Sequence, residues 1–126
     1  MAPTRTGFEL QRVYDATRRS GEYRVLVDRL WPRGVRKEDA DLDEWCREVA
    51  PTPELRRWFG HQDERYQEFV RRYRRELSQP PADEAVARLR ELSRRRRVTL
   101  LTANRDLERS SAGVLFRRLV HRRPTA

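Results

Sequence analysis

The fold is decided by a stretch in the first third of the chain, which reads Tyr23-Arg24-Val25-Leu26-Val27-Asp28-Arg29-Leu30-Trp31-Pro32-Arg33-Gly34. The apolar run at 25–27 predicts a buried strand. Charged side chains follow it, and Pro32 and Gly34 then turn the chain. Strands that end in polar side chains at a turn are typical of α/β proteins, which bind ligands beyond the carboxyl ends of their strands. The stretch therefore predicts a strand and one side of a candidate site.

Two further strands are predicted. The run Val98–Ala103 carries almost no charge, which predicts a central strand, and it ends at the polar triplet 104–106. A weaker pattern predicts a strand over Phe8–Tyr14. The connection from this strand to the one at Tyr23–Arg29 is too short for a helical crossover. These two strands are therefore either antiparallel neighbours or separated in the sheet by another strand.

Three helices are predicted between the strands. Thr52 as N-cap and Pro53 at the first helical position predict a short helix that ends at Gly60. Apolar residues at 66, 69, 70, 73 and 77 form one stripe and predict a longer helix. A third helix, which we expect Asp83 to cap, carries apolar residues at 86, 89 and 92.

The remaining segments complete a prediction of the fold class. A last helix is expected from about Asp106 to Val120, with Asn104 or Asp106 as its cap. The segment Val35–Asp43 is expected to be a loop, and residues 42–49 to form either a strand or a one-turn helix. We predict a single α/β domain over residues 1–126, in which a small, mostly parallel sheet of three or four strands is flanked by helices. Residues 1–7 and 121–126 are expected to fray.

The composition indicates an anionic partner. The 126 residues carry a net charge of +9, and Lys37 is the only lysine. The ratio of arginine to lysine is compatible both with an anionic partner and with codon bias in a GC-rich genome, but codon bias alone would preserve the balance of acids and bases. The excess of positive charge therefore favours a nucleic acid, a nucleotide or another phosphorylated ligand.

Cys46 is the only cysteine, which excludes an intramolecular disulfide and a cysteine-based metal site. We interpret it as a packed thiol rather than a nucleophile. No apolar run approaches the roughly 20 residues of a membrane span, and no Gly-rich phosphate loop is present. We therefore expect a cytoplasmic protein without a membrane segment, a metal or a cofactor.

The candidate ligand-binding residues fall into two groups. Arg29 and Arg33 flank Trp31, which is typical of an anion clamp with an aromatic wall, although the same residues suit a structural turn. Asn104 and Arg105 lie at the junction of a strand and a helix, where backbone N–H groups attract anions. If the two strands are parallel neighbours, these groups meet at one edge of the sheet.

Three residues are candidates for catalysis. Asp28 and Asp106 could act as acid or base, and His61 has the side chain best suited to proton transfer near neutral pH. A histidine after a helix-ending glycine is also common as a surface or capping residue. We expect Asp28 to orient Arg29.

Three functions remain open at this point. The first is a binding module in which Arg29, Arg33 and Arg105 hold an anionic ligand. The second is a small enzyme acting on a nucleotide-like or phosphorylated substrate. The third is an interaction subunit that docks through Trp45, Trp58 and Phe59. The run at 94–97, four arginines at a helix end, suggests a nucleic-acid patch or a solvated helix terminus.

Long motifs connect the chain with a known family. They are the stretch 23–34 quoted above and Leu42-Asp43-Glu44-Trp45, Glu48-Val49-Ala50-Pro51, Leu55-Arg56-Arg57-Trp58-Phe59-Gly60-His61, Arg72-Tyr73-Arg74-Arg75-Glu76-Leu77 and Val98-Thr99-Leu100-Leu101. In these motifs the chain resembles the YeaO-like branch of the bacterial proteins grouped as domain of unknown function 488. The resemblance covers nearly the whole chain.

The resemblance implies a small α/β fold and no settled reaction. Relatives tend to carry Ala-Lys-Asp after the last strand and then a His-Asn pair, whereas this chain has Asn104-Arg105-Asp106 and then Arg109-Ser110. Arg105 keeps a positive charge at the lysine position. The resemblance therefore favours anion binding over proton transfer in this chain.

Overall fold

A computed structural model describes residues 6–15 and 18–121. Within this part of the chain, four strands form one sheet: β1 (Gly7–Arg12), β2 (Tyr23–Leu26), β3 (Glu44–Trp45) and β4 (Arg97–Thr102). Five α-helices accompany them: α1 (Lys37–Ala40), α2 (Pro53–Phe59), α3 (Tyr66–Leu77), α4 (Ala82–Ser93) and α5 (Ser111–Val120). Short 3-10 helices occupy Arg47–Val49 and Asp63–Arg65. The predicted α/β class is confirmed.

The sheet is parallel throughout, with the order β1-β4-β2-β3. β4, whose residues 98–102 carry no charge, therefore lies inside the sheet, as the composition of this segment predicts. It also separates β1 from β2, which resolves the two arrangements that the short connection left open. The register places Leu26 beside Leu101, so that β2 and β4 end next to each other.

The core lies between the sheet and the helices. Alternate residues of β2 and β4, among them Val25 and Leu100, are fully buried in one cluster with Phe69, Leu89 and Leu115. The helices α4 and α5 pack on β1 and β4, and α3 packs on α4 and α5. Each helix buries one apolar stripe, which is why their sequences are amphipathic. No helix in the described ranges is long and apolar enough to cross a bilayer.

Several boundaries differ from the prediction. The segment expected to be a loop contains α1, a single turn that buries Ala40. Residues 42–49 form both of the proposed elements, since β3 is followed by a 3-10 helix. The helix α4 begins at Ala82 with Pro81 as its N-cap, and Asp83 lies in the first turn, where the helix dipole favours a carboxylate. Of the ends expected to fray, residues 1–5 and 122–126 lie outside the described part, whereas Gly7 begins β1 and His121 caps α5.

Candidate functional site

A hollow of about 400 Å³ opens beyond the carboxyl ends of β2 and β4. Its floor comes from the ends of these strands, and its walls come from the loop after β2, from α2 and from the start of α5. The residues that line it are Tyr14, Asp28, Arg29, Leu30, Trp31, Pro32, Arg33, Ala50, Pro51, Arg56, Phe59, His61, Phe69, Ala103, Asn104, Ser110 and Ser111. A hollow of this size suits a small-molecule ligand.

Asp28 forms the floor and joins the two strand ends. Its Oδ1 accepts a hydrogen bond from the Thr102 hydroxyl at 2.7 Å, and its Oδ2 accepts one from the backbone N–H of Ala103 at 2.8 Å. Burial raises the pKa of Asp28, although both hydrogen bonds and the charge of Arg56 act in the opposite direction. The carboxyl group is therefore fixed in position and easier to protonate than an exposed aspartate.

Arg29 is held by neutral oxygen atoms. Its Nε donates to the carbonyl oxygen of Pro51 at 3.1 Å, and its Nη2 donates to that of Ala50 at 3.2 Å. Arg29 and Asp28 thus have separate partners, and the expected orienting contact between them is replaced by these two carbonyl groups. Because a carbonyl oxygen carries only a partial charge, the positive charge of Arg29 remains available to the hollow.

Two further arginines line the hollow, and the charge of one of them, Arg56, acts on Asp28. The side chains of Arg33 and Arg56 are exposed, and neither donates a hydrogen bond or forms an ion pair within residues 6–15 and 18–121. Arg33 was predicted, whereas Arg56 was missed. In sequence Arg56 sits beside Arg57 on a short helix, so that the pair has the pattern of a solvated face. Only the packing of Leu55 and Phe59 into the core shows which of the two arginines faces the hollow.

Trp31 is both an aromatic wall of the hollow and a structural part of the turn after β2. Its indole lines the hollow, while its Nε1 donates to the carbonyl oxygen of Val35 at 2.6 Å. Its ring also meets Trp45 edge to face, with 5.3 Å between the centroids. The aromatic wall is therefore rigid.

Of the three polar residues after β4, only Asn104 lines the hollow. Asn104 lines the hollow and donates from Nδ2 to the Thr102 hydroxyl at 2.8 Å. Arg105 and Asp106 are exposed and are not among the residues that line the hollow. Asp106 instead accepts hydrogen bonds from the backbone N–H groups of Glu108 and Arg109 at 3.0 and 3.1 Å. Arg105 therefore does not line the hollow with Arg29, and its role in binding a ligand stays a prediction.

The helix α5 starts at Ser111, and its N-cap is Ser110 rather than Asn104 or Asp106. The Ser110 hydroxyl accepts a hydrogen bond from the backbone N–H of Gly113 at 3.1 Å. Gly113 has no side chain because an added Cβ would lie 2.7 Å from the carbonyl oxygen of Glu108 and closer still to that of Leu107. Ser110 lies two residues before Ala112 and is of a residue type that is favoured as N-cap, so the sequence contained this signal. The start of α5, with its first free N–H groups, thus borders the hollow at Ser110 and Ser111.

His61 reaches the hollow through an unusual backbone conformation. Gly60 and His61 are both left-handed, with φ of 52° and 57°. This conformation is uncommon for a residue with a side chain, and it reverses the chain directly after α2. The imidazole ring lies 6.0 Å from the ring of Phe59. His61 therefore lines the same hollow as Asp28.

Of the other predicted groups, Cys46, Trp45 and Trp58 do not line the hollow, whereas Phe59 does. Cys46 is fully buried, and burial raises the pKa of its thiol to about 12, which fits a packed thiol. Among the aromatic contacts of the described residues, none joins Trp45 to Trp58 or Phe59, and Phe59 stacks on Phe69 within the core. No group of three or more His, Cys, Asp or Glu side chains in the described chain could hold a metal ion.

The fold and the hollow define a small, fully parallel α/β protein with a polar site beyond its strands. Residues 7–124 match the family model described as the inactive DUF488-N3 subclade, and the chain belongs to this family. The resemblance to YeaO-like proteins is thereby confirmed.

Curated relatives cover most of the chain. The uncharacterised protein Rv3073c of Mycobacterium tuberculosis is 46% identical over 110 residues, which are 87% of this chain and 91% of the relative. The uncharacterised protein YeaO of Escherichia coli is 39% identical over 107 residues, which are 85% of this chain and 91% of the relative. No solved structure matches the chain.

Proposed function

We propose that this protein binds a phosphorylated small molecule, a nucleotide or a phosphorylated nucleic-acid end in the hollow beyond β2 and β4. One observation carries the proposal: Arg29, Arg33 and Arg56 line one hollow, and none of them forms a direct ion pair with a carboxylate of the described residues, although the charge of Arg56 acts on Asp28. Guanidinium groups match the oxygen atoms of phosphate in geometry and charge. The start of α5 adds backbone N–H groups that favour the same charge.

The floor of the hollow narrows the class of ligand. An ionised Asp28 would repel a phosphate placed directly on it, but the same carboxylate can accept a hydrogen bond from a hydroxyl or N–H group. A ligand with a phosphate at one end and such a donor at the other satisfies both the arginines and Asp28. Trp31 supplies an aromatic face in the same hollow. Nucleotides and sugar phosphates have this combination of groups.

A thermal-shift screen against nucleotides, sugar phosphates and inorganic phosphate tests the proposal. A ligand at a hundredfold excess over its Kd adds about 2.7 kcal/mol to the free energy of unfolding and raises the melting temperature by several degrees. Arg56→Gln should abolish the shift. Arg57→Gln removes the same charge from the next position of α2, which does not line the hollow, and should preserve the shift.

Two outcomes would refute this function. One is a screen in which no phosphorylated compound changes the melting temperature of the wild type. The other is an equal loss of the shift in Arg56→Gln and Arg57→Gln, which would mean that only the overall charge matters.

Catalysis by Asp28 is the second candidate, and the raised pKa of this buried carboxyl favours it. In that case Asp28 would act as acid or base, and Arg29 would stabilise developing negative charge. The description of the family as inactive supports binding instead. Conversion of a bound ligand that stops in Asp28→Asn would decide for the enzyme, and an unchanged ligand after long incubation would decide for binding.

A further inference from the structure

Arginine side chains lie over most of the tryptophan and tyrosine rings of this protein. The guanidinium carbon of Arg47 is 4.1 Å from the ring centroid of Trp45, and that of Arg72 is 4.2 Å from the ring centroid of Trp58. Three tyrosine rings are covered in the same way, namely those of Tyr14, Tyr23 and Tyr66. A guanidinium ion is attracted to the electron-rich face of an aromatic ring. A chain with 29 lysine and arginine residues therefore fills such faces readily.

Trp31 is the exception among the three tryptophans. In the described part of the chain no arginine lies over its ring, and its aromatic contact is the edge-to-face one with Trp45. Arginines are nevertheless at hand, because Arg29, Arg33 and Arg56 line the same hollow as Trp31. The hollow thus combines three guanidinium groups with an indole ring on which none of them stacks. Both kinds of group are available to a ligand.

The loop that carries Trp31 is held in place by hydrogen bonds from two aromatic side chains. The indole Nε1 of Trp31 donates to the carbonyl oxygen of Val35 at 2.6 Å. The hydroxyl of Tyr14 donates to the carbonyl oxygen of Arg33 at 3.0 Å. Little of this loop has to be ordered when a ligand arrives, which lowers the entropic cost of binding.

We propose that Trp31 is the stacking surface for the base of a nucleotide, so that the ligand of the hollow is a nucleoside phosphate rather than a sugar phosphate. This role of Trp31 rests on the proposed function, since the arginines hold the phosphate while the base lies on the indole ring. A nucleobase is flat and has a π face that matches an indole in shape, whereas a sugar ring is puckered. Stacking of this kind accepts any of the bases.

The remaining groups of the hollow are compatible with one nucleotide unit. Its volume of about 400 Å³ lies near the lower end of the range of ligand pockets, which is about 300–1,000 Å³. The carboxylate of Asp28 can accept a hydrogen bond from an N–H group of the base or from a ribose hydroxyl. The arginines, Trp31 and Asp28 thus address the phosphate, the flat face and the polar edge of the same ligand.

Isothermal titration calorimetry with three ligands separates the base from the phosphate. AMP carries both groups, ribose 5-phosphate lacks the base, and adenosine lacks the phosphate. The wild type should bind AMP about tenfold more tightly than ribose 5-phosphate, because the two have the same phosphate and only AMP can stack. Adenosine should bind more weakly than AMP, because it offers nothing to the arginines.

Trp31→Leu removes the stacking surface. It should lower the affinity for AMP about tenfold and change the affinity for ribose 5-phosphate less than twofold. The matched control is Trp58→Leu, which removes another half-buried tryptophan that does not line the hollow, and both affinities should stay within twofold of the wild type. Circular dichroism verifies that both variants fold.

A measurement on the wild type does not depend on the folding of any variant. Nuclear Overhauser effects should connect the base protons of bound AMP with the indole protons of Trp31. Trp31→Phe keeps an aromatic ring, serves to assign these signals, and should retain a preference for AMP of at least about threefold over ribose 5-phosphate.

Two results would overturn the stacking role and leave the proposed phosphate site intact. One is equal affinity of the wild type for AMP and ribose 5-phosphate. The other is an equal loss of AMP binding in Trp31→Leu and Trp58→Leu, with no Overhauser effect from the base to Trp31. By contrast, adenosine that binds as tightly as AMP would refute the phosphate site, and no binding of any of the three ligands would refute both.

A free nucleotide and the terminal nucleotide of a strand share this chemistry. A 5′-phosphorylated oligonucleotide distinguishes the two sources in the same titration. An affinity at least equal to that of AMP assigns the hollow to a strand end, and a lower affinity assigns it to a free mononucleotide.

Discussion

At the scale of single residues, the candidate site depends on how Asp28 is buried. The side chain is fixed by donors from the end of β4, and burial raises its pKa above the ordinary value of 3.8. A raised pKa means that the folded protein holds this proton more tightly than the unfolded chain does. Protonation of Asp28 therefore stabilises the fold at low pH, and this contribution is lost as the pH rises through the raised pKa.

Asp28→Asn should reveal this linkage. We expect the stability of the wild type relative to the asparagine variant to decrease as the pH rises from below 3.8 through the pKa of the folded state. Urea unfolding of both proteins across this range measures the difference. Carboxylates with lowered pKa, such as those of Asp41 and Glu68, produce the opposite trend, but they contribute equally to both proteins. A difference that stays constant with pH would contradict the prediction.

The residues found by sequence and those missed differ in the kind of information they require. Asp28, Arg29 and Trp31 follow an unmistakable strand, so their place at the sheet edge could be predicted from the pattern alone. To predict that Arg56 faces the hollow, one must know how α2 is rotated about its axis against the core. The position of Arg105 directly after β4 predicts that it lines the hollow, but it lies in an exposed turn in which Asp106 accepts hydrogen bonds from the following backbone.

At the scale of elements, α2 is positioned by its N-cap. The Thr52 hydroxyl accepts a hydrogen bond from the backbone N–H of Leu55 at 3.2 Å and donates to Glu76 of α3 at 2.7 Å. The backbone N–H of Thr52 donates to the same carboxylate at 3.0 Å. A single residue thus caps the helix that carries Arg56 and ties it to the long helix below.

Thr52→Ala should destabilise the protein by about 2 kcal/mol, because it removes a cap and one hydrogen bond to a carboxylate. Chemical denaturation measures the change in the free energy of unfolding. Thr52→Ser keeps the hydroxyl and should remain within about 0.5 kcal/mol of the wild type. Equal stability of the alanine and serine variants would show that the cap contributes nothing.

The helices also show which local sequence signals are enough to predict where a helix begins and ends. The limits of α2 could be predicted from local features alone. Thr52 is its N-cap, Pro53 is its first residue and Gly60 ends it. The start of α5 was placed five residues too early, because Asp106 is an equally good cap by type as Ser110. The choice between them is made by the close packing of Gly113 on the preceding turn, which no local pattern contains.

At the scale of the whole molecule, the parallel sheet has its most hydrophobic strand in the centre. β4 pairs with β1 on one side and β2 on the other, and residues 98–102 are fully buried. The fold class and the central position of this strand followed from its lack of charge. The strand order β1-β4-β2-β3 could not be predicted from the sequence, because it depends on contacts between segments that are far apart in the chain.

Native-state hydrogen exchange should distinguish the central strand β4 from the edge strands β1 and β3. We expect the amide groups of Leu100 and Leu101 to exchange only through global unfolding, whereas those of β1 and β3, at the sheet edges, exchange through local opening. Measured protection factors, converted to free energies of opening, provide the comparison. Faster exchange in β4 than in β1 would contradict the sheet order.

The central place of β4 also determines when the protein can fold during its synthesis. The segments 7–12 and 23–26 leave the ribosome early, but the strand that belongs between them does not exist until residues 97–102 have been translated. Until then, both early segments present open edges to other nascent chains. The sheet therefore cannot assemble in its native order until residues 97–102 have been made, and the two earlier strands depend on a partner that is distant in the chain.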